Sequence, residues 1–252
     1  MVMQELNTTL TDGILHIELN APAKKNALTD TLRTELRETV AAAQDDRQIQ
    51  CMVLSGAGGN FCSGGDISAM TSDRDLARRR MTILHDVVRL LIGGQKPVIA
   101  AVSGPAFGAG LSLALCCDQI ICDDTARFCA SFGRVGLPPD LALSWTLPRR
   151  IGEAPARRML LSTRIVDAPE AVQLRLTDEL TRPEDLLGRA FELAREFAAF
   201  TQESKGHVKS LVASAAGSLD AILEREMESY ITLLNSEEYR AARERFLAKS
   251  RT

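Results

Sequence analysis

At 252 residues, 45% of them hydrophobic, the chain can bury one large core. Its net charge of −3 and pI near 5.7 arise from acidic and basic residues interspersed along the chain, a pattern that gives no footing to a nucleic-acid or membrane-surface partner. The opening MVMQELNTTL has neither a basic nor an apolar targeting segment, no window reaches the roughly 18 apolar residues of a membrane span, and the expected location is cytoplasmic.

Residues 1–20 alternate apolar and polar positions across Thr11-Asp12-Gly13, with Ile14, Ile17 and Leu19 after the turn, and predict a structural β-hairpin. A loop, APAKKNAL (21–28), leads to a helix opening near Thr29, with Leu32, Leu36 and Val40 on its apolar face. QCMVLS (50–55) reads as a short apolar strand feeding the flexible turn GAGGN and then FCSGGDI (61–67). There the tandem Gly64 and Gly65 either form an ordinary tight turn or let the backbone approach a ligand and aim an N–H at it. Residues 71–93 predict a helix from the spacing of Ile83, Val87, Leu90 and Leu91; its Arg78-Arg79-Arg80 run reads as a solvated face, with a phosphate contact as the alternative. His85, on the same helix, reads as a core or boundary residue.

PVIAAV (97–102) is a buried strand that delivers the chain to a Gly-rich turn, Gly104, Gly108 and Gly110. The turn runs into a small, apolar helix over 111–117, entered by its N-terminus, where bare N–H groups can hold a developing negative oxygen. Two short β-like runs follow, 119–122 and 127–130, and then the turn Gly136-Leu137-Pro138-Pro139-Asp140 sets one carboxylate ahead of another apolar segment. An anion site and one aspartate about thirty residues apart are the two parts an enolate-forming enzyme needs. Beyond 152 come helices over 154–162 and 168–174, a short TDEL strand, and from Pro183 onward Ala, Leu, Glu and Arg at helical spacing, with Ser236-Glu237-Glu238 opening a last helix. The six cysteines, Cys51, Cys62, Cys116, Cys117, Cys122 and Cys129, sit mostly in apolar runs, with no C-x-x-C pair and no histidine at ligand spacing. They predict buried thiols in a reducing compartment rather than a zinc site.

KKNAL (24–28), FCSGGDISAM (61–70), KPVIAAVSG (96–104), and SGPAFGAGLSLALCCD with FGRVGLPPDLALSWTLPRRIG (103–118 and 132–152) occur in that order, followed by SEEYRAARERFLAKSRT at 236–252. In these motifs the chain resembles the crotonase superfamily, the enoyl-CoA hydratase/isomerase family, over nearly its whole length. The resemblance implies an α/β fold: a crotonase-like ββα spiral core over residues 1–195 that binds acyl-CoA, with a C-terminal helical oligomerisation region over 196–252. It implies a homotrimer or a pair of trimers. It further implies an acyl-CoA thioester substrate, coenzyme A entering only as part of that substrate, no permanently bound cofactor and no metal. The oxyanion-hole N–H groups fall on Gly65 and Ala109. Coenzyme A contacts fall on Lys24, Lys25, Ala27, Gly64, Asp66 and Ile67, the lysines near its phosphates, and on Phe246 and Lys249 from a neighbouring subunit. Either lysine taken singly could equally be a solvated loop side chain, and the terminal helices could cap their own subunit. Family members usually have glycine where this chain has Arg175, which implies a local loop variation.

The family's hydratases position and deprotonate water with two glutamates, and those positions here are Ser112 and Phe132. Neither is a general base, so efficient hydration is not expected, although Ser112 leaves a weak water-holding route open. Asp140 stands where several isomerases of the family carry their sole acid. It would take a proton from C2 of a 3-enoyl thioester and return it to C4, its pKa raised by Leu137, Leu141, Leu143 and Phe132. Read without the resemblance, Asp140 could simply cap the next helix. Isomerases usually follow this Asp with glycine-rich residues, whereas Leu141-Ala142-Leu143-Ser144 follow here. That departure, together with His85, also resembles the 4-chlorobenzoyl-CoA dehalogenase branch or a related hydrolase, with Asp140 as nucleophile and His85 activating water. Against it, Phe132 and Gly65 stand where that branch has its tryptophan and an aromatic lining. A third alternative is a catalytically silent acyl-CoA-binding or scaffold protein.

Overall fold

Asp12 and Gly13 both take positive φ, 51° and 77°, the pair of left-handed residues that a two-residue hairpin turn requires. They join β1 (Leu6–Thr11) to β2 (Ile14–Leu19) in antiparallel register, Thr11 opposite Ile14. The computed structural model describes residues 4–215 and 219–242. After the hairpin come α1 (Asp30–Asp45), capped by the Thr29 hydroxyl accepting from the Leu32 N–H, and β3 (Cys51–Gly56). Next are α2 (Arg74–Gly93), capped by Asp73, then β4 (Val98–Val102), β5 (Pro105–Phe107), α3 (Ala109–Leu115), β6 (Gln119–Asp123) and β7 (Arg127–Cys129). The chain continues through α4 (Leu143–Ile151), α5 (Glu153–Ser162), β8 (Ile165–Asp167), α6 (Ala168–Gln173) and β9 (Glu179–Thr181) to α7 (Leu186–Ala198), α8 (Gln202–Ser214) and α9 (Leu219–Leu234).

Among the described residues one sheet has the order β1-β2-β3-β4-β6-β9, parallel from β2 onward, and a smaller one has the order β5-β7-β8. The three-residue strands β5 and β8 go beyond the sequence reading, which took the first for part of a turn. Strands β3 and β4 are buried along nearly their whole length, as parallel strands covered on both faces must be. Alternation divides their side chains cleanly. Met52, Leu54, Ala100 and Val102 join the main core with α1, α2 and α3, while Cys51, Val53, Ile99 and Ala101 meet Leu186, Ala190 and Leu193 of α7. All six cysteines are free and buried, as expected.

Arg175, just past α6, has φ 58°. The departure from glycine is therefore one of residue: the left-handed turn that ends a helix is formed here by an arginine. At the lower end of the sheet α8 is fastened by lysines. Lys209 Nζ donates to the Leu91 carbonyl at 2.9 Å and pairs with Asp118, whose Oδ2 also accepts from the Val98 N–H.

Two glycines bring β5 and α3 against the 60–66 loop. A Cβ on Gly110 would lie 2.1 Å from the Cys62 carbonyl oxygen, and one on Gly64, whose φ is 109°, 2.8 Å from that of Phe107. Backbone cannot yield as a side chain can. Gly110→Ala is accordingly expected to cost more than about 3 kcal/mol or to prevent folding. Gly188→Ala on α7, with nothing within 4 Å of the new methyl, should gain roughly 0.5–1 kcal/mol. Urea unfolding of the two variants checks both, and a Gly110→Ala protein of natural stability would contradict the packing argument.

Candidate active site

Asn26 is fully buried with φ 56°, and its side chain sews two loops together. Oδ1 accepts from the Ala21 N–H at 2.9 Å, and Nδ2 donates to the carbonyls of Ala57 and Asn60 at 3.0 and 2.5 Å. The join continues as Ser63 N–H donates to the Lys25 carbonyl and Leu28 N–H to that of Gly64. On the other side Cys62 exchanges main-chain bonds with β5, its N–H donating to the Pro105 carbonyl and its carbonyl accepting from the Phe107 N–H, and Gly108, at φ 51°, turns the chain into α3. Three separate stretches of sequence, 21–28, 60–66 and 104–110, therefore form one backbone-bonded layer.

This layer brings the expected anion-binding groups together. A Cβ on Gly64 would stand 3.6 Å from the Ala109 amide nitrogen. Neither the Gly65 nor the Ala109 N–H donates to a main-chain or side-chain acceptor among the described residues. Phe132 reaches the same place: its ring edge lies 3.9 Å from where a Gly108 Cβ would be, and it is buried.

Asp140 joins the group through Ser112. The Ser112 hydroxyl, fully buried on α3, lies 3.1 Å from the Asp140 carbonyl and 3.3 Å from that of Gly108, so its single proton serves the main chain. Asp140 Oδ1 is buried and has no hydrogen-bond partner among the described residues. Burial pushes this carboxyl up to about 6. It does not cap α4, whose N-cap is Ala142; the Asp140 contact with that helix is its carbonyl accepting from the Leu143 N–H at 3.0 Å. Leu141 and Leu143 are buried as expected, but Leu137 is 45% exposed and takes no part in an apolar surround. Pro138 and Pro139 precede the carboxylate on an exposed limb, which leaves Leu137 in solvent.

Leu141 and Ala142 occupy the left-handed region, with φ 49° and 60°. Side chains with a Cβ take that conformation at roughly 1–2 kcal/mol each. Burial of Leu141 to 1% exposure, the Ser112 bond and two N–H donors onto the Ala142 carbonyl, from Trp145 and Thr146, offset the strain.

The charged residues divide differently from the sequence reading. Lys24 Nζ is 2.7 Å from Asp66 Oδ2, a pairing that raises the lysine pKa and lowers that of the aspartate, which also binds the Ser68 hydroxyl. Lys25 and Ile67 are exposed, and Ala27 is buried. Arg78 and Arg79 are solvated as expected, whereas Arg80 corrects the reading of the run. Its side chain is largely buried and forks onto both oxygens of Asp30, with a further bond to the Ala69 carbonyl. His85 is exposed on α2 rather than in the core or at its boundary, and makes no hydrogen bond to Asp140. The helix turns His85 outward because Leu84, Val87 and Leu91 take the buried stripe. Phe246 and Lys249 lie outside the described residues. Asn26 and Arg80 take no role from the sequence alone, because contacts that define them reach as far as 34 and 50 residues along the chain.

No helix among the described residues is long and apolar enough to cross a membrane. The chain belongs to the enoyl-CoA hydratase/isomerase family, whose model matches residues 9–252. It is 32% identical to 1,2-epoxyphenylacetyl-CoA isomerase of Escherichia coli (strain K12), over 98% of this chain and 97% of that protein. To 4-chlorobenzoyl coenzyme A dehalogenase-1 of an Arthrobacter species it is 30% identical, over 88% of this chain and 82% of the relative. The crystal structure of an enoyl-CoA hydratase from Polaromonas sp. JS666 superposes with a TM-score of 0.90 at 28% identity, covering 97% of both chains. The fold is thus the crotonase-like α/β fold of an enzyme family that acts on CoA thioesters.

Ala142→Gly should relieve the left-handed strain. We expect the variant to be more stable by about 0.5–1 kcal/mol, less than the strain itself because glycine also frees the unfolded chain. A fall in the urea midpoint would show that the turn at 141–142 is not strained.

Proposed function

We propose that the chain isomerises 3-enoyl-CoA to 2-enoyl-CoA through a dienolate. Asp140 takes a proton from C2, the electron pair moves onto the thioester oxygen held by the Gly65 and Ala109 N–H groups, and the carboxylic acid returns the proton at C4. The observation that supports this is the Asp140 carboxyl itself: one oxygen buried and without a partner among the described residues, its pKa pushed up to about 6. A group near 6 is a usable base when ionised and a usable acid once protonated. Hydration is disfavoured because Ser112 has committed its proton to main-chain carbonyls and Phe132 fills the second glutamate position.

Coenzyme A would lie along the 21–28 loop, Lys25 being the lysine free to meet a phosphate while Lys24 is held by Asp66. We read residues 1–195 as the acyl-CoA-binding core and 196–252 as the oligomerisation region of a trimer or a pair of trimers. The exposed Val208 and Val212 on α8 and Met227 and Ile231 on α9 agree with that division. A dehalogenase-like reaction, with Asp140 attacking the ring carbon, is the second reading and is favoured by the Arthrobacter relative. The exposed His85 weakens it. A silent acyl-CoA-binding protein would bind the thioester and leave it unchanged.

The test is proton exchange in heavy water with 3-hexenoyl-CoA, followed at C2 and C4 by NMR and mass. Exchange and isomerisation should both fall at least about 10³-fold in Asp140→Asn. If the natural protein exchanges neither position, the isomerase reading fails; chloride release from 4-chlorobenzoyl-CoA would then support the second.

The same variant carries a stability signature. Asp140 moves from an ordinary 3.8 to about 6 on folding, so the folded chain holds a proton that the unfolded chain has released between those values. Its contribution to stability therefore falls as pH rises through that window, by about 3 kcal/mol in all at roughly 1.4 kcal/mol per unit. Asp140→Asn should be the more stable protein near pH 7.5 by up to that amount, with the gain vanishing near pH 4. Parallel unfolding curves for the two proteins would show that the carboxylate is not desolvated.

A further inference from the structure

The glycines around the site are of two kinds. Gly56, Gly64, Gly104 and Gly110 are demanded by the fold, because a Cβ on any of them would lie 2.1 to 2.8 Å from a main-chain oxygen. Gly65 is different. Its φ lies outside the left-handed range, and the one atom within 4 Å of its missing Cβ is Met70 Cε at 3.9 Å. Alanine would fit at this position without moving any backbone, so the fold does not explain the glycine.

What the glycine leaves is space, and its place is specific. A Cβ sits about 2.5 Å from its own amide nitrogen, and an oxygen bound by that N–H sits about 2.9 Å from it. A side chain at 65 would thus begin within roughly 4–5 Å of the thioester carbonyl carbon and its C2. The far wall of the space is Met70, 49% exposed, and Ile67 beside it is 62% exposed. Arg80 steadies this wall through the Ala69 carbonyl. The one atom bordering the space within 4 Å belongs to Met70, an apolar and flexible side chain that can shift.

We infer that Gly65 is a specificity-determining residue whose missing side chain admits an acyl-CoA bearing an apolar branch or ring on the carbon next to the thioester carbonyl. The inference rests on the placement of the thioester oxygen at the Gly65 N–H but not on any reaction. Its test is therefore a binding measurement with thioesters that cannot isomerise. Calorimetry with hexanoyl-CoA and 2-methylhexanoyl-CoA should give dissociation constants within about three-fold of each other for the natural protein. Gly65→Val should raise the ratio of branched to straight at least ten-fold. Met70→Phe, which fills the same space from the opposite wall and leaves the 62–66 backbone untouched, should move the ratio in the same direction.

An unchanged ratio in both variants overturns the inference. So does a natural protein that already rejects the branched thioester ten-fold, or one that binds neither. Failure of the isomerase reading would appear differently, as intact binding with the predicted ratios and no exchange at C2.

Discussion

Everything at the site depends on how closely the backbone of β5 and α3 approaches the 60–66 loop. The two meet main chain to main chain, Gly110 of α3 on the Cys62 carbonyl and Gly64 on that of Phe107 in β5. No side chain intervenes, so the relative position of two amides, Gly65 and Ala109, is set by covalent geometry and van der Waals radii rather than by rotamers. Hydrogen-bond donors fixed in that way need little reorganisation when charge develops opposite them. The Asn26 bonds extend the same rigidity to the 21–28 loop, so that loop and the Gly65 and Ala109 amides become parts of one backbone-bonded layer.

Asp140 is kept in place at a cost to stability. One oxygen of its carboxyl is buried without a partner among the described residues, and the two residues after it hold a conformation better suited to glycine. Both costs fall on the same short turn, and both are offset from α3 and the core rather than locally, through the Ser112 hydroxyl and the burial of Leu141. Ser112 thereby occupies the position of a base and serves a different purpose, tying the turn to the helix whose N-terminus would hold the oxyanion.

Much of the fold was legible because its signals are local. Thr11-Asp12-Gly13 announces the hairpin, Thr29 caps α1 where expected, and the apolar runs of β3 and β4 read directly as strands. The three-residue strands β5 and β8 were not legible, since a strand of that length has no periodicity and exists only through its partners. The same limit applies to Arg80: one of three adjacent arginines, it differs from Arg78 and Arg79 only by lying within reach of Asp30, fifty positions earlier. Leu141 and Ala142 carry the opposite lesson. They stand out in the sequence as a departure from the glycine-rich residues usual there, yet the backbone takes the left-handed path regardless, because tertiary contacts outweigh a local preference of a few kcal/mol.

The lysines of α8 tie a late helix to the middle of the chain. Asp118 Oδ2 serves both the Val98 amide at the start of a central strand and Lys209, 91 positions later. While the chain is being made, the sheet can assemble from its first two hundred residues, but the ammonium that neutralises this carboxylate arrives only with α8. A chain that stops short of α8 thus leaves a charge without its counterion beside the first amide of β4. Synthesis as far as α8 is in this sense registered at the start of β4, far along the sequence from the 21–28 loop.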